Sequence, residues 1–231
     1  INALGQLSLG LAHDFNNLLA VVTASLDLLP GADEARRQRL VDVARQATER
    51  GQRLTLQMLA FARRQRLAPA LHDINALVFD AADVYRRAAG AITQCEFALS
   101  EVPPVMVDAG QLEAALLNLV GNARDALQSS GTIRISTRRA RPDPREHVEA
   151  REGTDYVYVT VADDGPGMDE EVRLRAMEPF FTTKDVGHGS GLGLSQVFGF
   201  ASQSGGFAFI DSQPGRGTRV TLALPIPVPA P

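Results

Sequence analysis

The stretch Gly187-His188-Gly189-Ser190-Gly191-Leu192-Gly193-Leu194-Ser195 decides the fold of this chain. About twenty residues earlier lies a second glycine cluster, Asp163-Asp164-Gly165-Pro166-Gly167-Met168. Glycine lets backbone N–H groups approach phosphate oxygens without a Cβ in the way, and the apolar run from Leu192 predicts a helix whose positive end faces them. The two clusters therefore indicate two walls of one pocket for a polyphosphate.

The common phosphate-binding motifs are absent from the sequence. There is no Gly-x-x-x-x-Gly-Lys-Ser/Thr run, which disfavours a P-loop, and the glycines do not open a helix directly after a strand as a dinucleotide fold requires. The His-Arg-Asp and Asp-Phe-Gly motifs of protein kinases are also missing. The glycine clusters thus belong to another class of nucleotide site.

Three more motifs occur in a fixed order around the glycine clusters. Asn118-Leu119-Val120-Gly121-Asn122-Ala123 lies on an apolar-periodic stretch, 111–127, that predicts an amphipathic helix with both asparagines on one face. Glu178-Pro179-Phe180-Phe181-Thr182-Thr183-Lys184 and Gly215-Arg216-Gly217-Thr218 lie before and after the run from Gly187 to Ser195. In order and spacing, the five motifs resemble the N, first glycine, F, second glycine and third glycine boxes of sensor histidine kinases. The ATP-binding domain of these kinases is part of a superfamily with gyrase, chaperone and mismatch-repair ATPases.

A histidine far upstream completes this resemblance. His13-Asp14-Phe15-Asn16-Asn17-Leu18-Leu19 is similar to the phospho-acceptor box of the same kinases, in which an acid follows the histidine and Asn or Thr stands four residues on. The resemblance covers almost the whole chain. It implies an ATP-dependent protein histidine kinase that uses Mg²⁺, phosphorylates His13 and passes the phosphoryl group to an aspartate of a response-regulator receiver domain. It also implies dephosphorylation of that regulator.

The resemblance gives the acceptor box three catalytic residues. A neutral imidazole nitrogen of His13 is the nucleophile toward phosphorus. Asp14 fixes the tautomer and takes the proton, and Asn17, one turn along the same face, orients water for dephosphorylation. Surface charge on a helix is the alternative reading of Asp14.

The resemblance also assigns the nucleotide contacts. Asn122 is the Mg²⁺ ligand, with Asn118 one turn earlier, and Asp163 accepts the hydrogen bond of the adenine amino group, which selects adenine over guanine. Lys184 reaches toward the γ-phosphate, although an ordinary exposed lysine fits the same pattern. The alternative for Asn118 and Asn122 is a capping role, and the alternative for Asp163 is an ordinary turn aspartate. The implied ATP-binding residues are Asn118, Asn122, Asp163, Gly165, Gly167, Phe180, Thr182, Thr183, Lys184, Gly189, Ser190, Gly191, Leu192, Gly193, Leu194 and Thr218.

Two positions depart from the family pattern. Many relatives carry Lys or Arg three residues after the second asparagine of the N box, where this chain has Asp125 beside Arg124. Asn118 stands where the hydrolysing members of the superfamily have a glutamate that activates water. Because Asn cannot act as that base, transfer to a histidine is favoured over rapid hydrolysis.

The hydrophobic pattern divides the chain into an α+β protein of two domains. Residues 1–66 carry two apolar helical stripes broken at Pro30-Gly31, with Asp33 as a possible N-cap, and predict a helical hairpin for dimerisation and phosphotransfer. Its apolar seam predicts a homodimeric four-helix bundle, with packing onto the second domain as the alternative. Residues 67–73 are assigned as a linker, 74–225 as the catalytic domain and 226–231 as a proline-rich tail.

The catalytic domain reads as a mixed sheet covered on one face by helices, an α/β sandwich of the Bergerat or GHKL type. The pocket lies between the helices and a lid, 166–190, and a charged insertion, 139–153, separates two strands. The predicted helices are 74–87, 111–127 and 192–204, and the predicted strands are 92–99, 105–107, 132–138, 156–162, 207–212 and 218–224.

Composition excludes several classes of protein. The chain has 231 residues, 45% of them hydrophobic, and a net charge of −4 without a dense basic block, which argues against nucleic-acid binding. A single cysteine, Cys95, and the lack of an apolar run long enough to cross a bilayer favour a cytoplasmic piece that makes no membrane contact. A sensor domain is expected upstream of Ile1, in a parent protein that is either soluble or membrane-anchored, and the receiver is either separate or fused after the tail.

Two other functions fit parts of the sequence. One is a dimeric scaffold, a pseudokinase or phosphatase-biased module that is gated by nucleotide and signals by shape. The other is an ATPase clamp of the mismatch-repair or chaperone type, which Asn118 and the acceptor hairpin disfavour.

Overall fold

The computed structural model describes residues 17–33, 36–48, 51, 68–127, 130–143, 145, 147–184 and 191–227. The chain divides into two compact units, Ile1–Gln65 and Arg66–Pro231. Within the described ranges, no helix is both long and apolar enough to cross a lipid bilayer.

The first unit contains helices α1, residues 17–27, and α2, residues 36–48. Asp33 caps α2, as its position predicts, because its Oδ1 accepts a hydrogen bond from the Arg36 amide at 2.8 Å. Ser25, Ala32 and Ala47 are buried, whereas apolar side chains at several other positions of this unit are exposed: Leu19, Val21, Leu26, Leu28, Val41 and Val43. His13 and Asp14 lie outside the described residues.

The second unit is built on a sheet of five strands in the order β2-β4-β5-β7-β6. These strands are β2 (Thr93–Leu99), β4 (Gly131–Ala140), β5 (Tyr156–Asp163), β6 (Phe207–Ser212) and β7 (Thr218–Pro225). Strands β2 and β4 are parallel, and every other neighbouring pair is antiparallel. Strands β1 (Ala70–His72) and β3 (Val105–Val107) form a separate antiparallel pair, with Leu71 opposite Met106.

Helices cover one face of the five-stranded sheet. They are α3 (Ile74–Asp80), α4 (Ala82–Ala89), α5 (Ala109–Leu127) and α7 (Gly193–Gln203), while the short α6 (Glu170–Arg175) buries none of its residues. The inner face of the sheet packs Ile133, Val159 and Leu222 against Leu116 and Val197 of the helices. These side chains are almost completely buried, and they form the main core.

The opposite face of the sheet is also covered, by the insertion between β4 and β5. The six residues from Tyr156 to Val161 are all buried, and the Tyr156 hydroxyl accepts a hydrogen bond from the Arg151 amide at 3.0 Å. The His147 ring lies 4.4 Å from that of Phe209 and 5.3 Å from that of Phe207. A second apolar cluster therefore forms beneath the insertion, where the sequence predicted helices on one face only.

Two predicted elements differ from the observed ones. The helix predicted over 74–87 is divided at Ala81 into α3 and α4, because Ala81, Ala82 and Tyr85 all turn into the core. The strand predicted at 105–107 pairs with β1, inside the predicted linker, rather than with the main sheet.

Candidate functional site

A cavity of about 780 Å³ lies between α5, the ends of β5 and β7, and the lid. Val161 and Val220 of the sheet contribute to its wall, and Asn118 and Asn122 of α5 do so on the helical side. The rest of the wall comprises Leu117, Leu119, Gly121, Ala123, Asp125, Ala126, Asp163, Pro166, Gly167, Met168, Val172, Ala176, Phe181, Thr182, Thr183, Lys184, Gly191, Gly193, Leu194 and Thr218.

Asp163 ends β5 and presents its carboxylate to this cavity. Its Oδ1 accepts hydrogen bonds from the amides of Gly165 at 3.0 Å and Thr218 at 3.2 Å. Among the described residues no donor contacts Oδ2, which leaves an acceptor for a ligand amino group. Burial raises the pKa of Asp163 above its ordinary value, although the two amide bonds act in the other direction.

The first and third glycine boxes touch each other beneath Asp163. A Cβ on Gly217 would come within 2.0 Å of the Asp163 carbonyl oxygen, and one on Gly167 within 2.0 Å of the Gln213 oxygen. Both glycines have positive φ, +71° and +70°, which L side chains rarely adopt. Buried Ser212 joins the boxes, because its Oγ accepts from the Met168 amide at 2.8 Å and donates to the Gly217 oxygen at 2.9 Å.

The two asparagines of the N box lie on one side of α5, toward the cavity. The Asn118 amide donates to Gln196 Oε1 of α7 at 3.3 Å, which connects the two helices beside the pocket. A Cβ on Gly193 would lie 3.6 Å from Asn122 Nδ2. A larger residue than glycine at position 193 would therefore fill the space in front of the Asn122 amide.

Charged side chains meet where the lid approaches the end of α5. Lys184 Nζ lies 2.6 Å from Asp125 Oδ2, and Arg124 Nη2 lies 2.7 Å from Asp125 Oδ1. Burial tends to raise the pKa of Asp125, but the hydrogen bonds from Lys184 and Arg124 outweigh it and hold that pKa below its usual range. Lys184, which the resemblance directs toward the γ-phosphate, is thus bound to a carboxylate here.

A backbone contact joins Phe180 of the F box to Gly191 of the second glycine box. The Phe180 amide donates to the Gly191 oxygen at 2.9 Å, and Phe180 has a positive φ of 68°. A Cβ on Gly191 would come within 2.3 Å of the Phe180 backbone. Only glycine permits this approach.

The structure brings most of the predicted ATP-binding residues to one cavity. Gly165, Phe180 and Leu192 are not part of its wall: Leu192 is buried in the core, and the other two shape the neighbouring backbone. Gly189 and Ser190 lie outside the described residues. Asn17 belongs to the first unit and is exposed there.

Sequence reasoning missed several residues that build the site. Ser212 and Gln196 carry no motif, and only their contacts across the chain reveal them. Met168 and Val172 of the cavity wall are ordinary apolar residues. The pairing of Asp125 with Lys184 spans 59 residues, so no local pattern points to it.

Comparisons with known proteins agree with this geometry. The family described as Histidine kinase-, DNA gyrase B-, and HSP90-like ATPase matches residues 107–228, and the family described as His Kinase A (phospho-acceptor) domain matches residues 3–67. The structure of histidine kinase ThkA in complex with response regulator protein TrrA has a TM-score of 0.70 at 20% identity and covers 97% of this chain and 62% of that chain. This likeness shows the fold, a helical region followed by an α/β ATPase domain, as predicted.

Two curated proteins are similar over nearly the whole chain. Sensor kinase CckA of Brucella abortus (strain 2308) is 39% identical over 230 residues, which are 97% of this chain and 24% of that protein. Sensory histidine kinase/phosphatase NtrB of Rhodobacter capsulatus is 30% identical over 227 residues, 94% of this chain and 60% of that protein. The chain therefore spans less than two thirds of either relative. Because the ATPase family matches more than half of the chain and the phospho-acceptor family matches the part before it, the chain belongs to the sensor histidine kinases of two-component systems.

Proposed function

We propose that this chain binds ATP in the described cavity, transfers the γ-phosphoryl group to His13 and then passes it to an aspartate of a response-regulator receiver domain. The single observation that carries the proposal is the cavity itself, in which the Asp163 carboxylate, the α5 asparagines and the glycine boxes converge. The match to the phospho-acceptor family over residues 3–67 supplies the acceptor histidine.

In the first step an imidazole nitrogen of His13 attacks the γ-phosphorus. The bond from that phosphorus to the bridging oxygen breaks, ADP leaves, and Asp14 takes the imidazole proton. Phosphoryl transfer of this kind depends on positioning and on charge neutralisation. In the second step a carboxylate oxygen of the receiver aspartate attacks the phosphorus and frees His13.

Asp163 holds the adenine in this proposal. Its Oδ2 accepts the hydrogen bond from the adenine amino group, while the Gly165 and Thr218 amides fix the carboxylate through Oδ1. Guanine presents a carbonyl at the same position and is rejected. The apolar wall, including Met168 and Val220, contacts the faces of the base.

Mg²⁺ fits the residues at the other end of the cavity. The Asn122 amide oxygen is the hard donor that Mg²⁺ prefers, and glycine at 193 keeps the space in front of it open. Bound Mg²⁺ would neutralise phosphate charge and orient the γ-phosphate. Asn118, hydrogen-bonded to Gln196, stands one turn earlier on the same side of α5.

The partners follow from the first unit. Exposed apolar residues such as Leu26 and Val41 on α1 and α2 are suited to an interface with a second copy, as a homodimeric bundle requires. The bundle around His13 also serves as the docking surface for the receiver, and Asn17 orients water when the regulator is dephosphorylated. The name of the Rhodobacter capsulatus relative, kinase/phosphatase, supports the second activity.

We assign 1–66 as this hairpin, 67–73 as the linker, 74–225 as the catalytic domain and 226–231 as the tail, in a cytoplasmic setting.

The test is incubation with γ-labelled ATP and Mg²⁺. We expect acid-labile, base-stable label on the chain, lost in His13→Gln and kept in the matched variant His72→Gln, which changes a histidine of β1. ATP binding is measured in parallel by calorimetry. Absence of label from a wild-type chain that binds ATP would contradict the kinase and favour the nucleotide-gated scaffold.

A further inference from the structure

The Asp125 side chain divides its two oxygens between two cations. Oδ1 accepts from Arg124 at 2.7 Å and Oδ2 accepts from Lys184 at 2.6 Å. Arg124 is itself fixed, because its Nη1 donates to the Ala88 oxygen of α4 at 3.0 Å. Asp125 is therefore held on the helical layer, whereas Lys184 comes from the lid.

The charges on the cavity wall are unusual for a polyphosphate site. In the part of the chain that the structure describes, its wall includes one cation, Lys184, and two carboxylates, Asp125 and Asp163. Asp163 is the proposed acceptor of the hydrogen bond from the adenine amino group. Asp125 is already ion-paired with Lys184, the one cation of the described wall. The phosphates of a nucleotide thus meet a lysine that already has a partner.

We infer that Asp125 competes with the nucleotide phosphates for Lys184, so that a polyphosphate gains this cation only by displacing the Asp125 carboxylate. This inference rests on the proposed function and names a determinant of nucleotide selectivity at the same site. Asp125 in this role is a positioning residue, since it acts through Lys184.

The exchange of partners is favourable for two physical reasons. The side chains of Lys184 and Asp125 are 34% and 32% exposed, and an ion pair that water reaches contributes little stability. When Lys184 leaves, Asp125 keeps its bonds to Arg124, so no carboxylate is left unpaired. A phosphate chain carries more charge than one carboxylate and therefore wins the lysine.

The competition limits how strongly affinity depends on the length of the phosphate chain. A nucleotide whose phosphates reach Lys184 recovers the cost of separating the ion pair, and one whose phosphates do not reach it leaves the pair intact. Asp125 therefore reduces the affinity advantage that Lys184 gives to nucleotides that extend to the lid, and it leaves the affinity of shorter nucleotides unchanged.

A double-mutant cycle on ATP affinity tests the inference. Calorimetry would give the Kd for ATP with Mg²⁺ in wild type, Asp125→Asn, Lys184→Met and the double variant. Direct repulsion between Asp125 and phosphate is present with either Lys or Met at position 184, so it cancels in this cycle. The coupling free energy that remains reports how much the Asp125–Lys184 interaction changes when ATP binds. We expect Lys184→Met to weaken ATP binding about fivefold more in the Asp125→Asn background than in wild type, as loss of a partly exposed ion pair predicts.

The controls separate the possible failures. Glu113→Gln removes a carboxylate from the same helix without touching the cavity wall, and its cycle with Lys184→Met should be additive. Adenosine binding and a melting curve for each variant check the adenine site and the fold. An additive Asp125–Lys184 cycle, or a larger effect of Lys184→Met when Asp125 is present, overturns the inference while the proposed function stands. A folded wild-type chain that binds no ATP overturns both.

Discussion

At the scale of single residues, two glycines of the third glycine box offer a matched pair. Gly215 and Gly217 have nearly the same φ, +76° and +71°, but a Cβ on Gly215 meets nothing within 4 Å, while one on Gly217 meets the Asp163 backbone. We expect Gly215→Ala to lower the free energy of unfolding by about 1 kcal/mol, the cost of the left-handed conformation.

Gly217→Ala adds a collision to the same backbone strain. We expect a loss of about 3 kcal/mol or more, together with weaker ATP binding because Asp163 must move. Urea unfolding of both variants measures the difference. Equal losses would mean that the Asp163 backbone yields without cost and that the contact does not position the carboxylate.

Asp163 itself links stability to function. The pKa of the Asp163 carboxyl is raised in the folded state, so the folded chain holds the carboxyl proton more tightly than the unfolded chain does. The contribution of Asp163 to stability is therefore present at low pH and is lost as pH rises through the folded-state pKa. Asp163→Asn should therefore raise the melting temperature at pH 7 and have less effect near pH 4. The same variant should weaken ATP binding about 10- to 100-fold, because it loses a hydrogen bond to a charged group. Melts at both pH values with an ATP titration test this, and a lower melting temperature at pH 7 would contradict it.

At the scale of elements, α6 depends on its cap. The helix has six residues and buries none, and the Asp169 carboxylate accepts from the Val172 amide at 2.8 Å to start it. Val172 and Ala176, at the cavity wall, are positioned by this helix. Its stability therefore bears mainly on the pocket, and its link to the main core is the buried Ala176 at its C-cap.

Removal of the Asp169 cap should weaken ATP binding more than it lowers the global stability of the fold. Asp169→Ala is expected to cost about 1 kcal/mol locally and to weaken ATP binding about threefold, with little change in the melting temperature. Asp169→Asn keeps a capping oxygen and serves as the control. If the alanine variant lowered the melting temperature strongly while ATP affinity stayed unchanged, α6 would belong to the global fold instead.

The elements also show what the sequence can predict. Helix α5 and strands β5, β6 and β7 were predicted within one or two residues, because each carries an unbroken period of apolar side chains. The break at Ala81 was not predicted, since alanine has the highest helix propensity and the bend comes from tertiary packing. The same limit applies to Asp125 and Lys184, which meet only after folding.

At the scale of the whole molecule, the sheet of the second unit separates two different layers. The cavity and the helices lie on one face, and the aromatic cluster under the insertion lies on the other. His147, in contact with Phe207 and Phe209, belongs to the second layer, whereas its neighbour Val148 is 88% exposed. The sequence identified this insertion as charged and did not reveal that it covers the sheet.

The two layers should respond independently to mutation. His147→Ala is expected to reduce the free energy of unfolding by about 1–2 kcal/mol, through loss of two ring contacts, and to leave ATP affinity unchanged within about twofold. Val148→Ala should change neither quantity measurably. Denaturant titration and calorimetry provide the readouts, and a fall in ATP affinity for His147→Ala would show that strain passes through the sheet.

The contact between Phe180 and Gly191 has a consequence for how such chains diversify. The hydrogen bond and the close backbone approach join Phe180 to Gly191, so the chain leaves and re-enters the domain at one fixed point. The entropy cost of closing a loop grows only logarithmically, by about 0.6 kcal/mol for each doubling of its length. Insertions and deletions between Lys184 and Gly191 are therefore nearly neutral for folding, so evolution or a designer can change the length of the lid there while the walls from α5, β5 and β7 stay in place.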